Sequence, residues 1–139
     1  MEFHYTKFGA DDGKVEKPCV PITIQYSGKR FPIGNALVDT GADFTILPLE
    51  IAHVLEIELD DEEPARIACA GGGMFVALPS RKQLTFIIEQ SGYRPIQWKG
   101  IAYFTEDEPL CLLGHYQCLD RFDLTFHGPE KTLDVLPCF

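Results

Sequence analysis

The segment that most constrains this chain passes from an apolar stretch into a sharp polar turn and back, ALVDTGADFTILP, residues 36–48. Asp and Gly are poor strand residues and good turn residues. The pattern predicts that a buried strand ends at Val38, that the chain turns at Gly41, and that it re-enters the core at Ile46. A carboxylate held between two buried segments is costly unless it has a function, so Asp39 is the first candidate for a catalytic residue.

Composition limits the class of protein. A chain of 139 residues with 45% hydrophobic and 24% charged residues is expected to form one globular domain with its own core. The formal net charge of −9 argues against a nucleic-acid partner. We also expect no membrane span, because no apolar stretch is long enough, and no targeting segment, because no basic-plus-apolar segment is found near the N-terminus.

Cysteine and histidine spacing argues against disulfides, metals and cofactors. The five cysteines are an odd number without short-spaced pairs, so we expect neither a disulfide framework nor a zinc site. This usage fits a reducing, cytoplasmic setting. The histidines also lack metal-ligand spacing. They are His4, His53, His115 and His127.

The rest of the chain reads as short strands separated by turn signals. Apolar residues alternate over residues 20–26, and a turn at 27–30 leads to a return strand that ends at Val38. Pro48 opens a short helix whose apolar face contains Ile51, Ala52 and Leu55. Further strands are predicted at residues 84–88, 96–104, 110–114, 122–126 and 132–136, with a short helix at 116–121. This spacing predicts an all-β closed sheet or sandwich.

A glycine-rich hairpin lies in the middle of the chain. Residues 65–78 read as two strand arms around the tip AGGG at residues 70–73. Consecutive glycines can adopt positive φ, so we expect a mobile tip.

Three features together resemble the retropepsins, the single-domain aspartic proteases typified by retroviral proteases. Residues 37–45, LVDTGADFT, are similar to their active-site segment, and LLG at 112–114 is similar to the strand beside it. The glycine-rich hairpin occupies the position of the family's flap. The resemblance spans about residues 18–126. It implies a closed antiparallel β barrel with a flap at about 66–78 and one or two short helices, forming half of a two-fold homodimer.

The resemblance also implies domain limits. The protease domain would span residues 18–139. Its C-terminal hairpin at about 122–137 departs from the retroviral proteases, which end soon after the C-terminal helix. Residues 1–17 would form an N-terminal extension, in which residues 9–13 are flexible or turn-forming.

The resemblance assigns roles to the residues of the turn. Asp39 from each of two chains would form a pair that shares a proton and activates water, because two close carboxyls cannot both ionise. Thr40 would brace the interface between the chains, and Gly41 would let the substrate approach. The substrate would be an extended peptide bound by Ala42, Asp43, Gly71, Gly72, Gly73 and Met74, with Phe75 lining or bracing the groove.

Some residues depart from the family pattern. His115 stands where many relatives carry Arg, which leaves open whether it supports the dimer or is an exposed histidine at a helix entry. Ala42 cannot donate the hydrogen bond that Ser or Thr gives in relatives, so we predict a mildly acidic or neutral pH optimum. The C-terminal hairpin is a candidate dimer interface. Cys69, beside the flap tip, is expected to be buried and structural, with oxidation that gates access as the alternative.

A catalytically silent module with this fold, used for dimerisation or peptide binding, is the alternative function.

Overall fold

In the computed structural model, which describes residues 1–7, 15–69 and 71–139, most strands join one curled nine-stranded sheet. The predicted turn-forming residues 9–13 and Ala70 of the glycine-rich tip lie outside the described residues. The mostly β fold predicted from the sequence is confirmed. In the described part, no helix is long and apolar enough to cross a membrane.

The elements of the described residues follow in chain order. The first strands are β1 (Glu2–His4), β2 (Thr6–Lys7), β3 (Glu16–Lys17), β4 (Cys19–Tyr26), β5 (Lys29–Val38) and β6 (Ile46–Pro48). Helix α1 (Leu49–Leu55) precedes β7 (Ala65–Ala68), β8 (Met74–Pro79), β9 (Leu84–Ile88), β10 (Ile96–Gly100), β11 (Tyr103–Thr105) and β12 (Leu112–Leu113). A 3₁₀ turn (Leu119–Arg121), β13 (Phe122–His127) and β14 (Thr132–Pro137) complete the chain.

The nine-stranded sheet has the strand order β10-β9-β4-β5-β12-β6-β11-β8-β7. Its two ends, β10 and β7, do not pair with each other, so the predicted closed barrel is corrected to an open, curled sheet. The sheet is also mixed, since β12 runs parallel to β5 and β11 runs parallel to β6. Both parallel pairs arise because β12 and β11 return from distant parts of the chain to flank β6.

The first predicted hairpin is confirmed as β4–β5. Its turn contains Ser27 and Gly28, which both adopt positive φ, 48° and 79°. This conformation matches the twist of the two strands. The alternating side chains of Val20, Ile22 and Ile24 are buried, as the apolar pattern predicts.

Helix α1 follows the sequence prediction closely. Pro48 is its N-cap, and Ile51, Ala52 and Leu55 are buried against the sheet. The helix ends at Glu56, which adopts a left-handed conformation with φ of 56°.

Three predicted elements are shorter in the structure. The strand at 96–104 divides into β10 and β11, because Gly100 packs so tightly that an added Cβ would lie 2.6 Å from the Gln117 carbonyl oxygen. The Gln117 side chain also accepts a hydrogen bond from the backbone N–H of Ile101 at 3.0 Å. The strand at 110–114 shrinks to β12, and the helix at 116–121 shrinks to the 3₁₀ turn.

The two ends of the chain meet in a second sheet. Its strand order is β1-β14-β13, and β14 pairs with both neighbours in antiparallel register. The predicted C-terminal hairpin is confirmed as β13–β14. The start of the predicted N-terminal extension is held in this sheet, with Phe3 buried opposite Leu133.

Candidate active site

Asp39 directly follows β5, at the point where β5 meets β12. Its backbone N–H donates a hydrogen bond to the carbonyl oxygen of Leu113 at 3.0 Å, and Leu37 N–H donates to the Cys111 carbonyl at 2.8 Å. These bonds continue the parallel β5–β12 pair up to Asp39 itself. The position of Asp39 is therefore set by the pairing of β5 with β12. We call the turn that follows, residues 39–45, the Asp39 turn.

The Asp39 carboxylate closes the first part of this turn. Its Oδ1 accepts a hydrogen bond from the Gly41 backbone N–H at 3.0 Å, and its carbonyl accepts one from Ala42 N–H at 3.1 Å. These bonds are typical of an Asx-type turn, in which a short carboxylate caps its own loop. The side chain is half-buried and fixed in orientation through one oxygen. Among the described residues, no hydrogen bond reaches its second oxygen, Oδ2.

The end of the Asp39 turn, Phe44 and Thr45, packs against Gly114. The Gly114 N–H donates to the hydroxyl of Thr45 at 3.2 Å, and Thr45 is completely buried. A Cβ on Gly114 would lie 2.3 Å from the carbonyl oxygen of Phe44 and 2.4 Å from its carbonyl carbon. Real Cβ atoms do not approach backbone this closely, so only glycine allows the contact.

Aromatic packing supports the same turn. The Phe44 ring lies 4.5 Å from the ring of Tyr103 and 5.9 Å from that of Tyr116, measured between centroids. Burial raises the pKa of Tyr103, and the charges of Tyr116 and Glu63 add to the increase. Tyr103 therefore packs as a neutral phenol behind the turn.

His115 bonds to the Asp39 turn twice. Its Nε2–H donates to the carbonyl oxygen of Thr40 at 2.8 Å, and its backbone N–H donates to the Ala42 carbonyl at 3.0 Å. The His115 side chain is exposed, but it makes a hydrogen bond to the turn and is therefore more than an exposed histidine at a helix entry. It positions the backbone between Asp39 and Ala42.

A cleft of about 440 Å³ opens beside the turn. Asp39, Gly41, Ala42 and Asp43 line it, so four of the predicted site residues share this space. The other predicted residues, Thr40, Gly71, Gly72, Gly73 and Met74, are exposed and are not part of the cleft lining. The remaining walls come from β7, β8 and β12 and their neighbours, and comprise Phe44, Ile46, Arg66, Ile67, Ala68, Cys69, Phe75, Glu108 and Leu112.

Comparison with known proteins finds a family that is similar to the part of the chain containing this turn. The model of the family described as aspartyl protease matches residues 20–86, which contain Asp39 and both arms of the glycine-rich hairpin. This part of the chain, 67 of its 139 residues, is similar to the aspartyl protease family. The predicted family resemblance is therefore confirmed.

A solved structure also resembles this chain. The EIAV protease complexed with the inhibitor HBY-793 is 22% identical in sequence and has a TM-score of 0.44. The similarity covers 78% of this chain and 88% of the EIAV chain. No curated protein matches the chain in sequence.

Two charged residues of the cleft were not predicted from the sequence. Arg66 on β7 and Glu108 in the loop before β12 are 42 positions apart and neither belongs to a motif. Glu108 is held by a hydrogen bond that its Oε1 accepts from Leu110 N–H at 3.0 Å. Of the two, only Arg66 lies in a segment that the sequence singles out, the first arm of the predicted flap.

All five cysteines are free: Cys19 and Cys118 are buried, Cys111 is half-buried, and Cys69 and Cys138 are exposed. Burial raises the pKa of Cys111 to about 11 and that of Cys118 to about 12, so both remain protonated at neutral pH. Cys69 is exposed and lines the cleft, which corrects the expectation that it is buried and structural. The strand arm before it ends at Ala68, so Cys69 belongs to the tip and not to the core.

Within the described ranges, no group of three or more His, Cys, Asp or Glu side chains is arranged to hold a metal ion.

Proposed function

We propose that the chain is an aspartic endopeptidase whose active site contains two Asp39 carboxylates, one from each subunit of a homodimer. The observation that carries this proposal is the fixed Asp39 carboxylate at the wall of the cleft. It is held on one oxygen by its own turn, and the turn is braced by β12, Gly114 and His115. A catalytic group needs such fixed geometry.

The proposed chemistry is water attack on a peptide bond. One Asp39 carboxylate takes a proton from water, and the water oxygen forms a bond to the peptide carbonyl carbon. The protonated Asp39 of the second subunit gives its proton to the carbonyl oxygen. The tetrahedral diol then breaks its C–N bond: the leaving amine takes the proton that the first Asp39 received from water, and a hydroxyl of the diol gives its proton to the second Asp39 as the product carboxyl forms. Two carboxyls that share one proton supply both the base and the acid.

The second subunit is required because the chain carries the Asp-Thr-Gly turn once. Thr40, at the exposed tip of the turn, is the proposed contact with the partner turn. The terminal sheet of β1, β14 and β13 is the proposed larger interface. Phe126 and Leu136 on this sheet, and Phe139 just after β14, are 41%, 59% and 62% exposed in the single chain. Exposed apolar side chains of this kind mark association surfaces.

The proposed substrate is an extended peptide. Strand β7 is the terminal strand of the large sheet, paired with β8 on one side only. Four consecutive residues, 66–69, line the cleft, so the free edge of β7 runs along the cleft. A peptide in β conformation can pair with such an edge. We expect the flap hairpin (β7–β8 with its tip) to close over that peptide.

The tip of the flap hairpin is suited to a change of conformation. Gly71 and Gly72 have φ of 97° and 93°, which side-chain-bearing residues rarely adopt. We propose that Gly71, Gly72, Gly73 and the exposed Met74 approach the substrate when the hairpin closes. In the structure they lie outside the cleft lining.

Cleavage of unfolded casein by wild type and by Asp39→Asn, from about pH 4 to about pH 7, tests the proposed activity. Asn keeps the oxygen that accepts the Gly41 hydrogen bond but cannot act as a base, so we expect cleavage by wild type alone. Equal activity in both proteins, or none in either, would refute the proposal and favour a silent peptide-binding module. Sedimentation of the wild type tests the dimer. The cytoplasmic setting stays a prediction from cysteine usage.

A further inference from the structure

Arg66 is a cation on the wall of an otherwise acidic cleft. The lining contains three carboxylates, Asp39, Asp43 and Glu108, and Arg66 is the one cationic side chain in the described lining. Arg66 is exposed and lies opposite Val76 in the β7–β8 pair. It therefore sits in the first arm of the flap hairpin, beside the free edge of β7.

The guanidinium of Arg66 has no partner among the described residues. The ion pairs of the described residues use Lys29, Arg81 and His127 and do not involve Arg66. Among the described residues, the ion pairs also do not include Glu108, whose Oε1 accepts a hydrogen bond from the Leu110 backbone N–H. Five N–H donors in a planar fork are thus free to bind a carboxylate from outside the chain.

The surrounding charges favour a substrate carboxylate beside Arg66 and disfavour one elsewhere in the cleft. Asp43 and Glu108 disfavour an acidic side chain elsewhere in the cleft, because like charges repel in a partly desolvated space. An acid placed beside Arg66 gains a charge-assisted hydrogen bond that a neutral amide does not gain. With the cleaved bond placed at Asp39, pairing of an extended peptide with the free edge of β7 sets which of its side chains lies beside residue 66.

We propose that Arg66 is a specificity-determining residue that selects an acidic side chain at one defined position of the substrate. This inference rests on the proposed endopeptidase function and names the substrate class: extended peptides with Glu or Asp at that position and neutral residues at the neighbouring ones. In a two-fold dimer each subunit presents its Arg66. The preference then appears at two positions, one on each side of the cleaved bond.

The test begins with a library of peptides from a digested proteome, cleaved by wild type and mapped by mass spectrometry. The best peptide is then made with Glu, Gln or Lys at each position, and kcat/KM is measured. We expect Glu over Gln by roughly 5-fold at the position beside Arg66, a ratio typical of a partly exposed ion pair, and a smaller ratio at high salt.

Variants separate the charge of Arg66 from other roles. Arg66→Gln should abolish the preference for Glu, Arg66→Glu should reverse it in favour of Lys, and Arg66→Lys should retain part of it. Arg94→Gln is the matched control, because Arg94 is exposed in the turn before β10 and lies outside the cleft lining. It removes the same charge and should leave the preference unchanged.

Two results would overturn the proposal. One is equal kcat/KM for Glu and Gln peptides at every position. The other is an equal loss of activity on all peptides in Arg66→Gln, which would make Arg66 a support of the flap hairpin. Binding of the same peptides to Asp39→Asn, with and without Arg66→Gln, keeps the inference testable without cleavage. If wild type cleaves nothing, the proposed function fails, and the Glu-to-Gln binding ratio alone decides the role of Arg66.

Discussion

Replacing Gly114 by alanine tests the way in which β12 supports the Asp39 turn. The added Cβ would lie 2.3 Å from the Phe44 carbonyl oxygen and 2.8 Å from its nitrogen, and both atoms belong to backbone. Ordinary contact begins near 3.4 Å, so the turn or β12 must move by about 1 Å. The movement acts on the hydrogen bond from the Gly114 N–H to Thr45, which is 3.2 Å long in the structure.

The expected cost follows from these contacts. Overpacking of a tight contact costs about 1–3 kcal/mol, and one weakened internal hydrogen bond costs about 0.5–1.5 kcal/mol. We therefore expect Gly114→Ala to lose about 2–4 kcal/mol of unfolding free energy. A shift of about 1 Å in a catalytic group costs roughly 100-fold in rate, so casein cleavage should fall by about that factor in the folded fraction.

Urea unfolding and casein cleavage measure the two effects. Gly34→Ala is the matched control, because nothing lies within 4 Å of a Cβ at Gly34 and its φ is not positive. The control should keep wild-type stability and rate. The reasoning is refuted if Gly114→Ala matches the control in both measurements.

Further predictions concern the support of the turn, the core and the terminal sheet. Thr45→Val should lower the unfolding free energy by about 1–3 kcal/mol, because it leaves a buried N–H without its acceptor; Thr125→Val, exposed on β13, should be close to neutral. Phe86→Ala removes a fully buried ring stacked on a tryptophan, and urea titration should show a loss of about 3–5 kcal/mol. The hydrogen bond from His127 Nε2 to Asp134 raises the pKa of His127 above its ordinary value of 6.5. Its stabilisation is therefore complete below about pH 6.5 and is lost as the pH rises through the folded-state pKa, and unfolding curves of His127→Gln should lack that decline.

Local patterns in the sequence were enough to predict most elements of the fold. The alternation of residues 20–26 and the Ser27–Gly28 turn predict the β4–β5 hairpin, and the apolar face after Pro48 predicts α1. These elements depend on residues close in sequence, for which periodicity and turn chemistry are sufficient.

Closure of the sheet and the break after Gly100 depend on distant contacts. The division of the predicted strand at 96–104 results from close packing of Gly100 against Gln117, which a strand pattern cannot show. Whether β10 and β7 meet depends on the curl of the whole sheet. Strand patterns predict that a sheet exists, but they do not predict which edges remain free.

The candidate site was predicted in part. The motif around Asp39 identified the turn, and the LLG segment identified its neighbour, because both are contiguous in sequence. The bond from His115 to the Thr40 carbonyl was not predicted, and neither were Arg66 and Glu108 in the cleft. These residues act through positions reached only after folding, and no short pattern marks them.

Mixing wild-type and Asp39→Asn subunits tests the central claim that each active site takes one Asp39 from each of two chains. The two proteins are combined in equal amounts at a fixed total concentration, allowed to exchange subunits, and assayed for casein cleavage. Random pairing makes about one quarter of the dimers fully wild type. The account predicts about one quarter of the wild-type activity. A value of about one half would show that each chain acts with its own Asp39 alone, and would contradict the account.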